Sequence, residues 1–223
     1  MRRVPVFDVN ETLLDLGAMG PHFERVFGDA GVRVGWFEQM IQSALVATVT
    51  GSYRRFGDHA MAALEMTAER ARVELGDGDR EAVADQLRRL PPHPEVVGAL
   101  GRLKEAGFRL AALTNSTEEV ARAQLEHAGL LDRFDLVLSA DMVRRLKPAP
   151  EPYRMAAERL GVAVGQVRLV AAHAWDVAGA AGAGCATAFV ARPGKVLDPL
   201  AERPGIVGAD LGEVAEAILA EDR

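Results

Sequence analysis

Val4-Pro5-Val6-Phe7-Asp8-Val9-Asn10-Glu11-Thr12 sets four apolar residues directly before a mainly polar run. A continuous apolar tetrad without alternation reads as a strand buried on both faces, as in a parallel sheet, opening abruptly into a polar loop. Pro5 lies near its start, where a missing N–H is tolerated. In an open parallel sheet ligands bind beyond the carboxyl ends of the strands. Asp8, the first residue past this strand, is therefore the first candidate functional group.

Downstream of that loop the texture is helical. Between Leu13 and Leu90 apolar residues such as Met61, Leu64, Ala68 and Leu75 recur at three- and four-residue steps, broken by glycines, with no strand alternation. Pro91-Pro92-His93-Pro94 ends this region. Beyond it, strands and helices alternate: a helix over 95–106, a strand over 108–113, a helix over 118–127, a strand over 135–139, a helix over 152–160, a strand over 167–172 and a last strand near 187–190. That order predicts right-handed crossovers and a parallel sheet. The expected fold is α/β: a Rossmann-like parallel-sheet core formed by residues 1–13 and 91–223, with an all-helical insert over 14–90.

Composition agrees with a core plus an insert. The chain has 223 residues, 49% of them hydrophobic, enough to bury a substantial core unaided. Its single cysteine, Cys185, rules out an internal disulfide and a cysteine-rich zinc site. With 26 Lys+Arg against 32 Asp+Glu, the net charge of −6 offers no basic field for nucleic acid. The N-terminal apolar stretch stops at Asp8, short of a signal-peptide core, and no run is long enough to span a bilayer. A soluble cytoplasmic protein is expected, with no membrane partner.

Four polar positions fall at strand ends or in the loops that follow: Asp8, Thr114, Lys147 and Asp176. A carboxylate after a buried strand can act as a nucleophile if a nearby cation keeps it ionised, and Lys147 is the natural cation. Thr114, Asn115 and Ser116 open a helix, where side chains and free N–H groups make an anion site. Each also has a plainer reading: Thr114 or Ser116 as an N-cap, Lys147 as a solvated loop charge, Asp176 as a cap of the following helix. Their convergence at strand ends favours an active site.

The same residues resemble the haloacid dehalogenase superfamily. The resemblance rests on Phe7-Asp8-Val9-Asn10-Glu11-Thr12-Leu13, then Leu113-Thr114-Asn115, Lys147-Pro148, and Ala171-Ala172-His173-Ala174-Trp175-Asp176, and covers essentially the whole chain. The helical insert corresponds to that superfamily's cap domain, and the Trp175-Asp176 ending and the spacing from Lys147-Pro148 to Tyr153 are most similar to the L-2-haloacid dehalogenase branch. The resemblance implies attack by Asp8 on C2 of a small 2-haloacid, with halide loss and an ester that water then hydrolyses. Asp176 and His173 would position that water, Lys147 would pair with Asp8, and Thr12 and Thr114 would orient it or the substrate. Asn115 and Phe56 would cradle the halide, Trp175 would form a pocket wall, Tyr153 would support the site, and Asn10, Phe37 and Ser116 complete the expected substrate-binding set. It also implies no metal, no cofactor and a homodimer.

Four positions depart from that branch. Phe37 stands where ungapped alignment expects the cap arginine, although Trp36 and Phe37 can equally be cap core. Ala171 and His173 replace a serine and an asparagine, leaving His173 either a base or a wall residue. Asn10 replaces a bulky residue, and it also lacks the carboxyl with which the superfamily's phosphatases protonate a departing alcohol. A heavier halide leaves without a proton, so this loss disfavours phosphate-ester hydrolysis more than dehalogenation. The alternative is a hydrolase of another small carboxylate, or of a phosphate ester, through the same aspartate.

Overall fold

The computed structural model describes residues 2–222. Its centre is a six-stranded parallel sheet: β1 (Val4–Phe7), β2 (Ala111–Thr114), β3 (Leu136–Ser139), β4 (Val167–Ala171), β5 (Ala186–Val190) and β6 (Ile206–Gly208), in the order β3-β2-β1-β4-β5-β6. β1 is thus a central strand with all four residues buried. Its pairing with β2 begins only at Val6, so Pro5 removes no bond on that side. The order of strands reverses at β1, between β2 and β4, which makes the end of β1 a topological switch point.

Nine helices accompany the sheet among the described residues. Four, α1 (Gly20–Phe27), α2 (Val32–Thr50), α3 (Phe56–Ala71) and α4 (Asp77–Leu87), lie within the helical insert. The other five are α5 (Val96–Glu105), α6 (Glu118–His127), α7 (Pro150–Leu160), α8 (Ala174–Ala183) and α9 (Leu211–Glu221). Successive β1 residues feed opposite layers: Phe7 packs in the cluster with Leu100, Leu103 and Ile218, while Val4 and Val6 pack with Tyr153, Ala156 and Val177. The insert leaves and rejoins the sheet side by side. The Asp15 N–H donates to the Pro91 carbonyl at 2.8 Å and the His93 N–H to the Leu13 carbonyl at 2.9 Å. Within it α2 and α3 pack together, and the buried Trp36 indole N–H donates to the Ala60 carbonyl at 2.9 Å. No helix among the described residues is long and apolar enough to cross a membrane.

Some boundaries differ from the sequence reading. β2 starts at Ala111 rather than 108, because the Leu110 N–H is taken by the Asp135 carboxylate at 2.7 Å, while Phe108 packs into the core ahead of the strand. β6 and α9 extend the core past the last strand expected. β6 has only three residues, Ile206–Gly208, directly after Gly205, too few for a periodic signal.

Candidate active site

Asp8 follows β1 directly and is 5% exposed. Its oxygens have separate partners. Oδ1 accepts from the Lys147 ammonium at 2.8 Å; Oδ2 accepts from the Thr12 hydroxyl at 2.7 Å and lies 3.3 Å from His173 Nδ1. Thr12 Oγ1 in turn accepts from the Ala172 N–H at 2.9 Å, tying the β1 loop to the end of β4. Lys147 also donates to Asp176 Oδ2 at 2.7 Å and to the Leu113 carbonyl at 3.0 Å, so all three of its protons are used. Asp176 lies in the first turn of α8, is fully buried, and receives the Tyr153 hydroxyl on Oδ1 at 2.5 Å.

These contacts set the charges. Burial pushes the Asp8 carboxyl upward, but the Lys147 charge and the His173 hydrogen bond outweigh it and hold Asp8 below its ordinary range. For Lys147 burial favours the neutral amine, and the Asp176 and Asp8 charges overcome it, leaving it above the usual lysine value. Burial dominates at Asp176, with the Asp8 charge adding to it, and its carboxyl lies above the ordinary range. His173 would be pushed down by burial, yet its hydrogen bonds to Asp8 and Glu11, with their charges, hold it at about 9.

The Lys147 ammonium bridges Asp8 and Asp176 and supplies the positive charge that those carboxylates share. With Asp176 buried and both its oxygens engaged, the pair does not fit a divalent ion. Among the described residues no group of three His, Cys, Asp or Glu side chains is arranged to hold a metal.

The other expected residues fall into two clusters beside this ion group. Phe37, from α2, stacks on the His173 ring with centroids 5.7 Å apart, and Trp175 stacks on that ring at 5.2 Å. These three line a cleft of about 340 Å³ that also involves Lys195 and Val196. A second cleft, of about 300 Å³, lies between insert and core and is lined by Asn10, Phe56, Ser116 and Gln124 among others. Asn10 Oδ1 accepts from Gln124 Nε2 at 3.0 Å. The Asn115 amide braces the Lys147 loop, accepting from the Lys147 N–H at 2.8 Å and donating to the Lys147 carbonyl at 3.4 Å. Thr114 ends β2 and accepts from the Ser116 N–H at 3.2 Å, and the N-cap of α6 is Thr117, not Thr114 or Ser116. The four aromatics expected around one pocket are therefore divided: Phe37 and Trp175 over His173, Phe56 in the second cleft, and Tyr153 beneath Asp176.

Sequence reasoning missed Glu11 and Lys195. Glu11 Oε2 accepts from His173 Nε2 at 2.8 Å and from Lys195 Nζ at 2.7 Å. Glu11 lies inside the opening motif, three residues past Asp8, and its acidity was the available signal. Lys195 comes from the long segment after β5, and nothing in its local sequence marks it.

A profile of haloacid dehalogenase-like hydrolases matches residues 3–184. Haloacetate dehalogenase H-2 of Moraxella sp. (strain B) is 28% identical over 200 residues, covering 89% of each chain. (S)-2-haloacid dehalogenase 1 of Pseudomonas sp. (strain CBS-3) is 31% identical over 195 residues, covering 86% of each. The solved L-2-haloacid dehalogenase of Xanthobacter autotrophicus with chloropropionic acid covalently bound superposes with a TM-score of 0.92 at 26% identity, over 99% of this chain and 100% of that one. With an aspartate–lysine–aspartate group at the switch point of a parallel sheet and a profile match over most of its length, the chain belongs to the haloacid dehalogenase-like hydrolases.

Proposed function

We propose that the protein is a hydrolytic dehalogenase that converts short 2-haloalkanoic acids to 2-hydroxy acids through an ester on Asp8. The observation that carries this reading is the state of Asp8: an ionised carboxylate, nearly dry, with no acid two residues on. A desolvated carboxylate is a stronger nucleophile than a hydrated one. Asn10 spends its amide oxygen on Gln124 and has no proton to give a departing alcohol. A halide needs none.

In the first step Asp8 Oδ2 forms a bond to C2 of the substrate while the carbon–halogen bond breaks and halide leaves with its electron pair. Lys147 stays on Oδ1, which becomes the ester carbonyl oxygen, and its charge stabilises the oxyanion of the second step. Water then adds to the Asp8 carbonyl carbon, the acyl–oxygen bond breaks, and the 2-hydroxy acid leaves. Overall, water and haloacid give hydroxy acid, halide and one proton. Thr12 holds the attacking carboxylate in plane, and Asp176, itself fixed by the Tyr153 hydroxyl, holds Lys147. The relatives' names favour haloacetate and (S)-2-haloacids, and the resemblance favours a cytoplasmic homodimer, which light scattering reads directly.

Halide release from chloro-, bromo- and fluoroacetate and both 2-chloropropionate enantiomers, beside p-nitrophenyl phosphate with and without Mg²⁺, tests the proposal. Halide release is expected, and Asp8→Asn, checked for deamidation, should abolish it. In heavy-oxygen water the first turnover should label Asp8 rather than the product hydroxyl. Phosphatase turnover without halide release overturns the reading.

A further inference from the structure

We propose that Glu11 is a positioning residue that makes His173 the base for hydrolysis of the Asp8 ester. The inference rests on the reading of Asp8 as the nucleophile.

The backbone of Glu11 has φ +60°, in the left-handed region that suits glycine and strains other residues. A long side chain kept there points to a role for the side chain. Its carboxylate reaches His173 Nε2 at 2.8 Å, on the side of the ring opposite Asp8, and is fixed by Lys195 at 2.7 Å. The His93 ring donates to the Glu11 carbonyl at 3.2 Å and holds the turn. Phe37 and Trp175 both stack on the imidazole, at 5.7 and 5.2 Å, so its polar contacts lie in the ring plane and decide which nitrogen keeps a proton. Those contacts are Asp8 at Nδ1 and Glu11 at Nε2.

Asp176 is poorly placed to be the base, since it is fully buried with one oxygen on Lys147 and the other on Tyr153. His173 has the position but rests protonated between two carboxylates. Alkylation changes that. Once Asp8 is a neutral ester, the imidazolium loses one of its two anionic partners and releases the Nδ1 proton to solvent. Glu11 retains the proton on Nε2, leaving the Nδ1 lone pair directed at the ester. This is the role of the acid in a Ser-His-Asp triad, with water in place of serine. Nδ1 takes a proton as water adds to the Asp8 carbonyl carbon and returns it to the departing hydroxy-acid oxygen. Asp8, left as a carboxylic acid, passes its proton to Nδ1 and restores the resting pair. One proton is released per turnover, as the overall reaction requires.

Glu11→Gly relieves the backbone strain and Glu11→Gln keeps the shape without the charge, so neither should fail to fold. With 2-chloropropionate both variants should release about one equivalent of chloride as fast as the wild type. Steady turnover should then fall about 100-fold or more, the contribution typical of a general base. Intact mass should show the ester accumulating on Asp8, and turnover should climb with pH as hydroxide replaces the missing base. Equal loss of burst and steady rate, or unchanged turnover without accumulation, overturns the inference. If the wild type releases no halide, the dehalogenase reading falls, and an NMR titration of His173 decides on Glu11 separately. A fall in its pKa in both variants supports the coupling, and an unmoved titration refutes it.

Discussion

His173 is held by two carboxylates in a site where burial alone would strip its proton, and the result is a folded pKa of about 9 against an ordinary 6.5. A raised folded value means that protonation favours the folded state. The stabilisation is fully present below about pH 6.5 and is lost as the pH climbs through about 9. That gap corresponds to about 3 kcal/mol. Thermal melts of the unliganded protein should therefore show Tm falling between pH 6.5 and 9, and His173→Asn should flatten the slope in that window. Asp8 has the opposite sign: its lowered value contributes stability that disappears in acid. At this scale the sequence was partly legible. Asp8, Lys147 and Asp176 were recognisable from their places at strand ends, and they meet through Lys147 Nζ. The protonation of His173 was not legible, since it depends on Glu11 and Asp8 reaching opposite ring nitrogens across more than 160 positions of chain.

Helix α8 has two tasks. Its first turn carries Asp176, and its middle packs against the loop that carries Lys147. The second task explains Gly179, where an added Cβ would fall 2.4 Å from Pro148 Cβ and 2.7 Å from the Pro148 carbonyl oxygen. The neighbour is backbone and a rigid ring, so the loop itself must shift. Gly179→Ala should destabilise by about 1–3 kcal/mol, the usual cost of overpacking, as read by urea denaturation. Moving Lys147 off Asp8 should lower halide release as well. Close approach to Pro148 is a tertiary contact with no local signature. Helix α6, by contrast, was legible end to end as 118–127, since its acidic first turn and amphipathic spacing are local properties. Its cap, Thr117, was displaced by one residue from Ser116 because β2 and the turn after it claim 114–116.

For the molecule as a whole, the insert and the core meet beside the Asp8–His173 pair. Phe37 belongs to α2, in the insert, yet its ring lies on His173 from the core, and Lys195 lies 5.7 Å above that same ring. His173, which lies against Asp8, is thus covered on this side by an apolar ring from the helical layer. Phe37→Ala should leave the fold intact and raise KM for haloacids by about 10-fold or more, in line with about 1–3 kcal/mol for an apolar wall. The effect on kcat should be smaller, because a wall binds ground state and transition state alike. A drop in kcat at constant KM would instead place Phe37 in the chemistry.

The sequence by itself determined the alternation of strands and helices, the helical insert between them, and the strand ends at which Asp8, Thr114, Lys147 and Asp176 would stand. Those are consequences of local periodicity and chain order, which set secondary structure and the handedness of crossovers. Only the tertiary structure decided that Lys147 spends all three protons on Asp8, Asp176 and Leu113, that Asn115 braces the lysine loop, and that Glu11 grips the far nitrogen of His173. Each of these is a contact between segments distant in the chain, and its strength comes from burial, which no window of sequence contains.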